Sequence, residues 1–146
     1  MNVKFRPWVL NDMLTVSQHI GYSPMDTTRG IVAYDQDTAE TVAVFLIDSW
    51  TETSAQIHQI ILKTMVIRHG WFETVAEFMF TAAARLMVYA TVPANNTKAL
   101  ALNKKIGFHE VTRLKDAWAK GVDFVVMEMT REDCNYWVPA KLQKVS

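Results

Sequence analysis

Very little in this sequence can staple, hinge or charge the chain. Cys134 is the single cysteine among 146 residues, so no intrachain disulfide can form. Lys and Arg together (15) cancel Asp and Glu (15), leaving no overall field to favour nucleic acid or an anionic membrane surface. The longest apolar run, VAVFLI at 42–47, falls far short of the roughly 20 residues that cross a bilayer. No basic segment followed by an apolar one opens the chain, so secretion is not expected and a reducing cytoplasm is. His19, His69 and His109 have no ligand-like spacing with Cys134 or a carboxylate cluster, and no metal site is expected. G-x-S-x-G and G-x-x-x-x-G-K-[ST] are both missing, leaving hydrolase and nucleotidase chemistry without a motif. No repeat, linker or low-complexity stretch divides the chain.

What is present is apolar surface. Half of the residues are hydrophobic (50%), enough to build one core, and residues 1–146 read as a single domain. Val3 to Phe5 suggest a short strand stopped by Pro7, and Asn11 or Asp12 can cap a helix running to Ile20 and ending at Gly21. After the loop GYSPMDTT, GIVAYD and ETVAVFLIDSW form a hairpin around Asp35 to Thr38. A second turn at Thr51 to Thr53 leads into SAQIHQIILK.

From Gly70 the period turns helical, with Trp71, Val75, Phe78 and Ala82 on one stripe and Phe72, Ala76, Met79 and Ala83 beside it. RLMVYATV is a strand that Pro93 ends. Asn95 or Asn96 then caps a helix with Ala99, Leu102 and Ile106 on its apolar face, and Gly107 is placed to end it in a left-handed conformation. FHEVTRL and VDFVVMEM close the sheet as a hairpin turning near Lys120 and Gly121, and residues 131–146 form a C-terminal extension or contact arm. Hairpins beside strand-helix-strand crossovers predict an α/β (α+β) fold. Its sheet is mixed and mostly antiparallel, with six to seven strands flanked by helices.

Within NNTKALALNKKIGF, residues 95–108, Asn96, Ala99, Leu102, Lys105, Gly107 and Phe108 fall in register with N-x-x-A-x-x-L-Y-x-K-x-G-F. This pattern resembles the helix after the fifth strand in the GNAT superfamily of acyl-CoA N-acyltransferases. The strand order agrees from the first hairpin to about Arg131, and the ending MTREDCNYW is similar to that of small GNAT-like proteins of tailed phages. The resemblance implies attack of an amine on the thioester of acetyl-CoA, with a base on the central strands and a tyrosine as acid.

Asn103 stands where that tyrosine is expected, and a neutral amide has no ionisable proton to give a leaving thiolate. His58, in line with Gln56 and Ile60 on the fourth strand, is the candidate base; its strand carries no Asp or Glu. Leu62, Arg68, His69, Gly70 and Asn96 are the candidate donor-binding positions under the resemblance. The family's glycine-rich diphosphate loop is reduced to LKTMVIRHGWFET, with one glycine and with Trp71 and Phe72 crowding it. Lys98, Lys104 and Lys105 read as a solvated helix face.

The residues that maintain shape are retained and those that perform chemistry are altered. The expectation is therefore a GNAT-fold protein with a degraded acid and diphosphate loop. It would serve as a structural or interaction protein, a phage virion component or a host-factor binder, with a protein partner or self-assembly, in the host cytoplasm or a virion. The alternative is an active acetyl-CoA-dependent N-acetyltransferase acting on a small-molecule or protein amine.

Overall fold

The computed structural model describes residues 1–19 and 23–139. Seven strands form one sheet: β1 (Val3–Pro7), β2 (Arg29–Asp35), β3 (Thr41–Asp48), β4 (Ser54–Ile61), β5 (Met87–Pro93), β6 (His109–Ala119) and β7 (Val122–Thr130). Their order is β1-β2-β3-β4-β5-β7-β6, and every neighbouring pair is antiparallel except β4 and β5. The expected mixed, mostly antiparallel sheet flanked by helices is what the chain forms. β1 ends at Pro7 as expected, with Pro7 itself the last residue of the strand, opposite Ile31. The proline is tolerated because β1 is an edge strand, where a missing N–H faces no neighbour.

Alternation along the strands gives the sheet two apolar faces. On one, Phe45, Ile47, Val88 and Ala90 meet Trp71, Phe72, Val75 and Met79 together with Ile106 and Phe108. On the other, Val32, Val44, Leu46 and Ile60 are covered by Val16, with Trp8 at the margin. Val16 belongs to α1 (Met13–His19), which is preceded by a 3-10 turn at Leu10–Asp12. Asp12 does not cap α1 directly. Its carboxylate accepts from the N–H of Val9 (2.9 Å) and from Arg6 (2.6 and 2.8 Å), pinning this turn to β1. Ile20 and Gly21, the expected end of the helix, lie outside the described residues.

The helical segment after β4 departs from a uniform α-helix. Residues Thr64–His69 wind into a 3-10 helix anchored by buried Val66, and Gly70 then adopts a left-handed conformation (φ 82°). α2 (Trp71–Glu77) continues as a π-helix over Phe78–Ala82. The wider π turn keeps residues four apart over the sheet: Trp71, Val75 and Met79 in one row, Phe72, Ala76 and Phe80 in the next, all buried. Phe78 is consequently only half-buried, and Ala82, expected on the buried stripe, is exposed.

α3 (Thr97–Ile106) begins as the sequence suggests, with the Asn96 side chain accepting from the N–H of Ala99 at 3.1 Å. Its end is shaped by tertiary contact as well as by local preference. Gly107 has φ 138°, and a Cβ there would run into the carbonyl of Asp133. The segment after β7 crosses at this point. The Asn135 backbone N–H donates to Ile106 O (2.9 Å) and its side-chain amide to Lys105 O (3.0 Å), satisfying carbonyls left over at the helix terminus. Tyr136 and Trp137 then pack on Phe72 and Phe80, with ring centroids 5.0 and 5.8 Å apart.

Two substitutions test this account of α3, each read as a urea midpoint at unchanged slope. Asn96→Ala removes one cap and is expected to cost about 1 kcal/mol. Gly107→Ala introduces both a strained φ and a backbone collision, and its cost should exceed that of the cap, at about 2–3 kcal/mol. Equal costs would mean that the segment at 133–135 does not press on Gly107 in solution.

Candidate active site

β4 and β5 run side by side only briefly. Ser54 pairs with Met87, Ala55 with Val88 and Gln56 with Tyr89; beyond that point the strands diverge while each remains paired on its outer side. A side-chain bond crosses just past the last pair, where Gln56 Nε2 donates to Thr91 Oγ1 at 3.2 Å. Past this bridge lies a cleft of about 340 Å³ between Ile57, His58 and Gln59 of β4 and Ala90, Thr91, Val92 and Pro93 of β5. It reaches both sheet faces, bounded by His19 of α1 on one and by Ala99, Leu102 and Asn103 of α3 on the other. Trp118 and Phe124, stacked edge to face with centroids 5.6 Å apart, contribute to its wall.

The polar chemistry of the cleft centres on His58. Its Nε2 lies 3.3 Å from both carboxylate oxygens of Asp48, whose side chain is 1% exposed, whereas the His58 side chain is 17% exposed. A carboxylate oxygen accepts, so toward an ionised Asp48 the donor of this contact is Nε2–H. Asp48 escaped the sequence reading because it sits on β3, not on the strand of His58. The β3/β4 register pairs Asp48 with Gln56 and Leu46 with His58, which makes Asp48 and His58 diagonal neighbours on one face. The tight turn at Thr51 to Thr53 carries that signal: it sets the register, and the register brings the two together. The Ser49 hydroxyl also donates to Asp48, at 3.1 Å.

Of the residues singled out from sequence, His58, Asn96 and Asn103 line the cleft, and Leu62, Arg68, His69 and Gly70 do not. Asn103 is buried, and its amide Nδ2 approaches the sulfur of Met127 at 3.9 Å. Asn96 already uses its side chain to cap α3. The N–H groups of Leu62 and Lys63 both donate to Val42 O, on the β3 side and away from the gap. Trp71 and Phe72 do not crowd the approach to Gly70. Both are fully buried in the core, with the Trp71 indole N–H donating to Gln59 at 2.8 Å.

The β4–α2 connection differs from an open anion cradle in another way. Its 3-10 winding directs N–H groups at carbonyls three residues back, as in Val66 to Lys63 and Gly70 to Ile67. Glu73, in the first turn of α2, carries its carboxylate within 3.7 Å of where a Cβ on Gly70 would lie. A negative side chain at this end of a helix is favourable to the helix and unfavourable to a phosphate. Among the described residues no cluster of three or more His, Cys, Asp or Glu is placed to hold a metal ion, and no helix is long and apolar enough to cross a membrane.

No protein-family model matches this sequence, and no curated protein does. Solved structures do. The spermidine/spermine N-acetyltransferase SpeG from Vibrio cholerae superposes with a TM-score of 0.73 at 14% identity, over 99% of this chain and 98% of that one. Mutant forms of the same enzyme give 0.73 at 16% identity, over 99% and 100%. A chimera of it with hSSAT gives 0.69 at 15%, over 90% and 98%. These neighbours are GNAT enzymes, and at such identities the likeness speaks for architecture. The seven-strand, mostly antiparallel sheet flanked by helices therefore matches the fold of these GNAT neighbours.

Proposed function

We propose that the chain is an N-acyltransferase that deprotonates a primary amine at His58. The observation that carries this reading is the His58–Asp48 pair opening onto the cleft between β4 and β5. Asp48 orients the imidazole and stabilises the imidazolium that forms when the ring takes a proton, the task of a general base near neutral pH. The acyl carbon would be reached through the gap in the sheet, where the edge of β4 beyond Gln56 has no β5 partner and exposes backbone groups to an incoming amide-bearing arm.

An acyl-CoA, the donor implied by the fold, meets a partial fit. The gap suits the pantetheine arm. The 3-10 winding and Glu73 do not suit the diphosphate, and no step is derived through that part. Any acyl thioester supplies an electrophilic carbonyl and a thiolate leaving group. A thiol with pKa about 8.5 departs near neutrality with little help, so Asn103 in place of an acid slows the reaction without forbidding it.

The acceptor is not read from the neighbours. Spermidine, on which they act by name, carries several ammonium groups, and among the described residues the cleft lining holds no Asp or Glu to meet them. A primary amine with an apolar body fits Val92, Pro93, Trp118 and Phe124 better. A second reading rests on Asn103 and Glu73: a scaffold that has lost turnover and works as a structural or interaction protein, as in a phage virion.

Thiol release from acetyl-pantetheine and acetyl-CoA, measured across a panel of primary amines that includes spermidine, separates the two. Amine-dependent release is expected, and His58→Gln should lower kcat, measured on folded protein, by about 10²-fold or more. Asp48→Asn should fall in the same direction. A wild-type protein that is folded yet silent with every amine, or a His58→Gln variant as active as wild type, would favour the scaffold.

A further inference from the structure

The part of the fold that should bind the adenosine diphosphate of a coenzyme A donor differs from the part that should bind its reactive arm. The gap between β4 and β5 is open, and the β4 edge facing it is unpaired by β5 beyond Gln56. At the next element, Thr64–His69 winds as a 3-10 helix in which the N–H of Val66 is taken by Lys63 O and that of Gly70 by Ile67 O, with Val66 locked into the core. Gly70 O receives both the N–H and the hydroxyl of Thr74, at 3.0 and 2.8 Å, which tightens the first turn of α2. That turn carries Glu73, and α2 runs only from Trp71 to Glu77 before the π-helix begins. The surface beside it sets the exposed apolar side chains Leu62 and Met65 among the exposed Arg68 and His69, so that the charge a diphosphate would call for stands beside apolar groups and the Glu73 carboxylate.

Resting on the N-acyltransferase reading, we infer that the donor is an acyl-pantetheine thioester without an engaged adenosine diphosphate. In the transfer, the amine nitrogen bonds to the acyl carbon and the C–S bond breaks. The amine proton goes to His58, and the pantetheine thiolate leaves and is protonated by water. The same thioester chemistry has two sources, a free pantetheine or a phosphopantetheine arm borne by a carrier protein. The apolar Leu62 and Met65, with the exposed Arg68 and His69 next to them, form a rim that a carrier could cover.

Calorimetric titration of the full chain with acetyl-pantetheine, acetyl-CoA and 3′,5′-ADP tests the inference. The two thioesters should bind within about threefold of each other, and 3′,5′-ADP should not compete with either. Glu73→Gln removes the opposing charge and should strengthen acetyl-CoA binding by about 2–5-fold while leaving acetyl-pantetheine unchanged. Acetyl-CoA binding tenfold or more tightly than acetyl-pantetheine to the wild type, or competition by 3′,5′-ADP, would overturn the inference and leave the N-acyltransferase reading standing. If neither thioester binds, both fall together. An acetylated carrier protein titrated in parallel identifies the source: binding at least tenfold tighter than acetyl-pantetheine assigns the donor to a carrier, and equal or weaker binding assigns it to the free thioester.

Discussion

A parallel ladder only three residue pairs long holds the two halves of the sheet together. On one side of it is the antiparallel meander β1 to β4, on the other the unit of β5, β7 and β6. Two sheets joined so briefly can part without losing their own hydrogen bonds, since each diverging strand keeps its outer partner. The Gln56–Thr91 bond marks the apex and limits how far the parting can reach back. The helices then acquire their roles: α2 and α3 cover one face on both sides of the gap, and α1 covers the other. A cleft through the sheet is the geometric remainder of this arrangement.

The placement of His58 follows from the same constraint. On a strand paired on both sides it would project only over a sheet face; on β4 past Gln56 it stands at a rim. Asp48 reaches it from the opposite strand of a hairpin whose register is set by a short turn, and the carboxylate is kept out of water while the imidazole is not. Burial of a polar group without a partner is costly, and the hydrogen bonds from His58 and Ser49 are among the contacts that offset it at Asp48.

Much of the architecture was legible because it depends on local chemistry: alternation in VAVFLID, the asparagine cap before α3, the glycine at its end. The points that were misread share one cause, namely contacts distant in sequence. The π turn after Glu77 changes which residues of that segment are buried, and neither Phe78 nor Ala82 announces it. Trp71 and Phe72 looked like obstacles near Gly70, yet the sheet draws both inward. Asp48 was invisible to a search confined to the strand of His58, although adding the hairpin register would have found it.

The crossing of residues 133–135 over Gly107 has a temporal meaning in addition to its structural one. During synthesis from the N-terminus, α3 is made well before the segment that caps its terminal carbonyls and overlays its glycine. The helix that forms one wall of the cleft is thus finished by residues that follow β6 and β7 in the chain, together with Tyr136 and Trp137 on α2 and the π-helix. Until they arrive, the nascent chain has strands and a gap but no completed wall, and the cleft matures only after the segment that follows β7 has emerged.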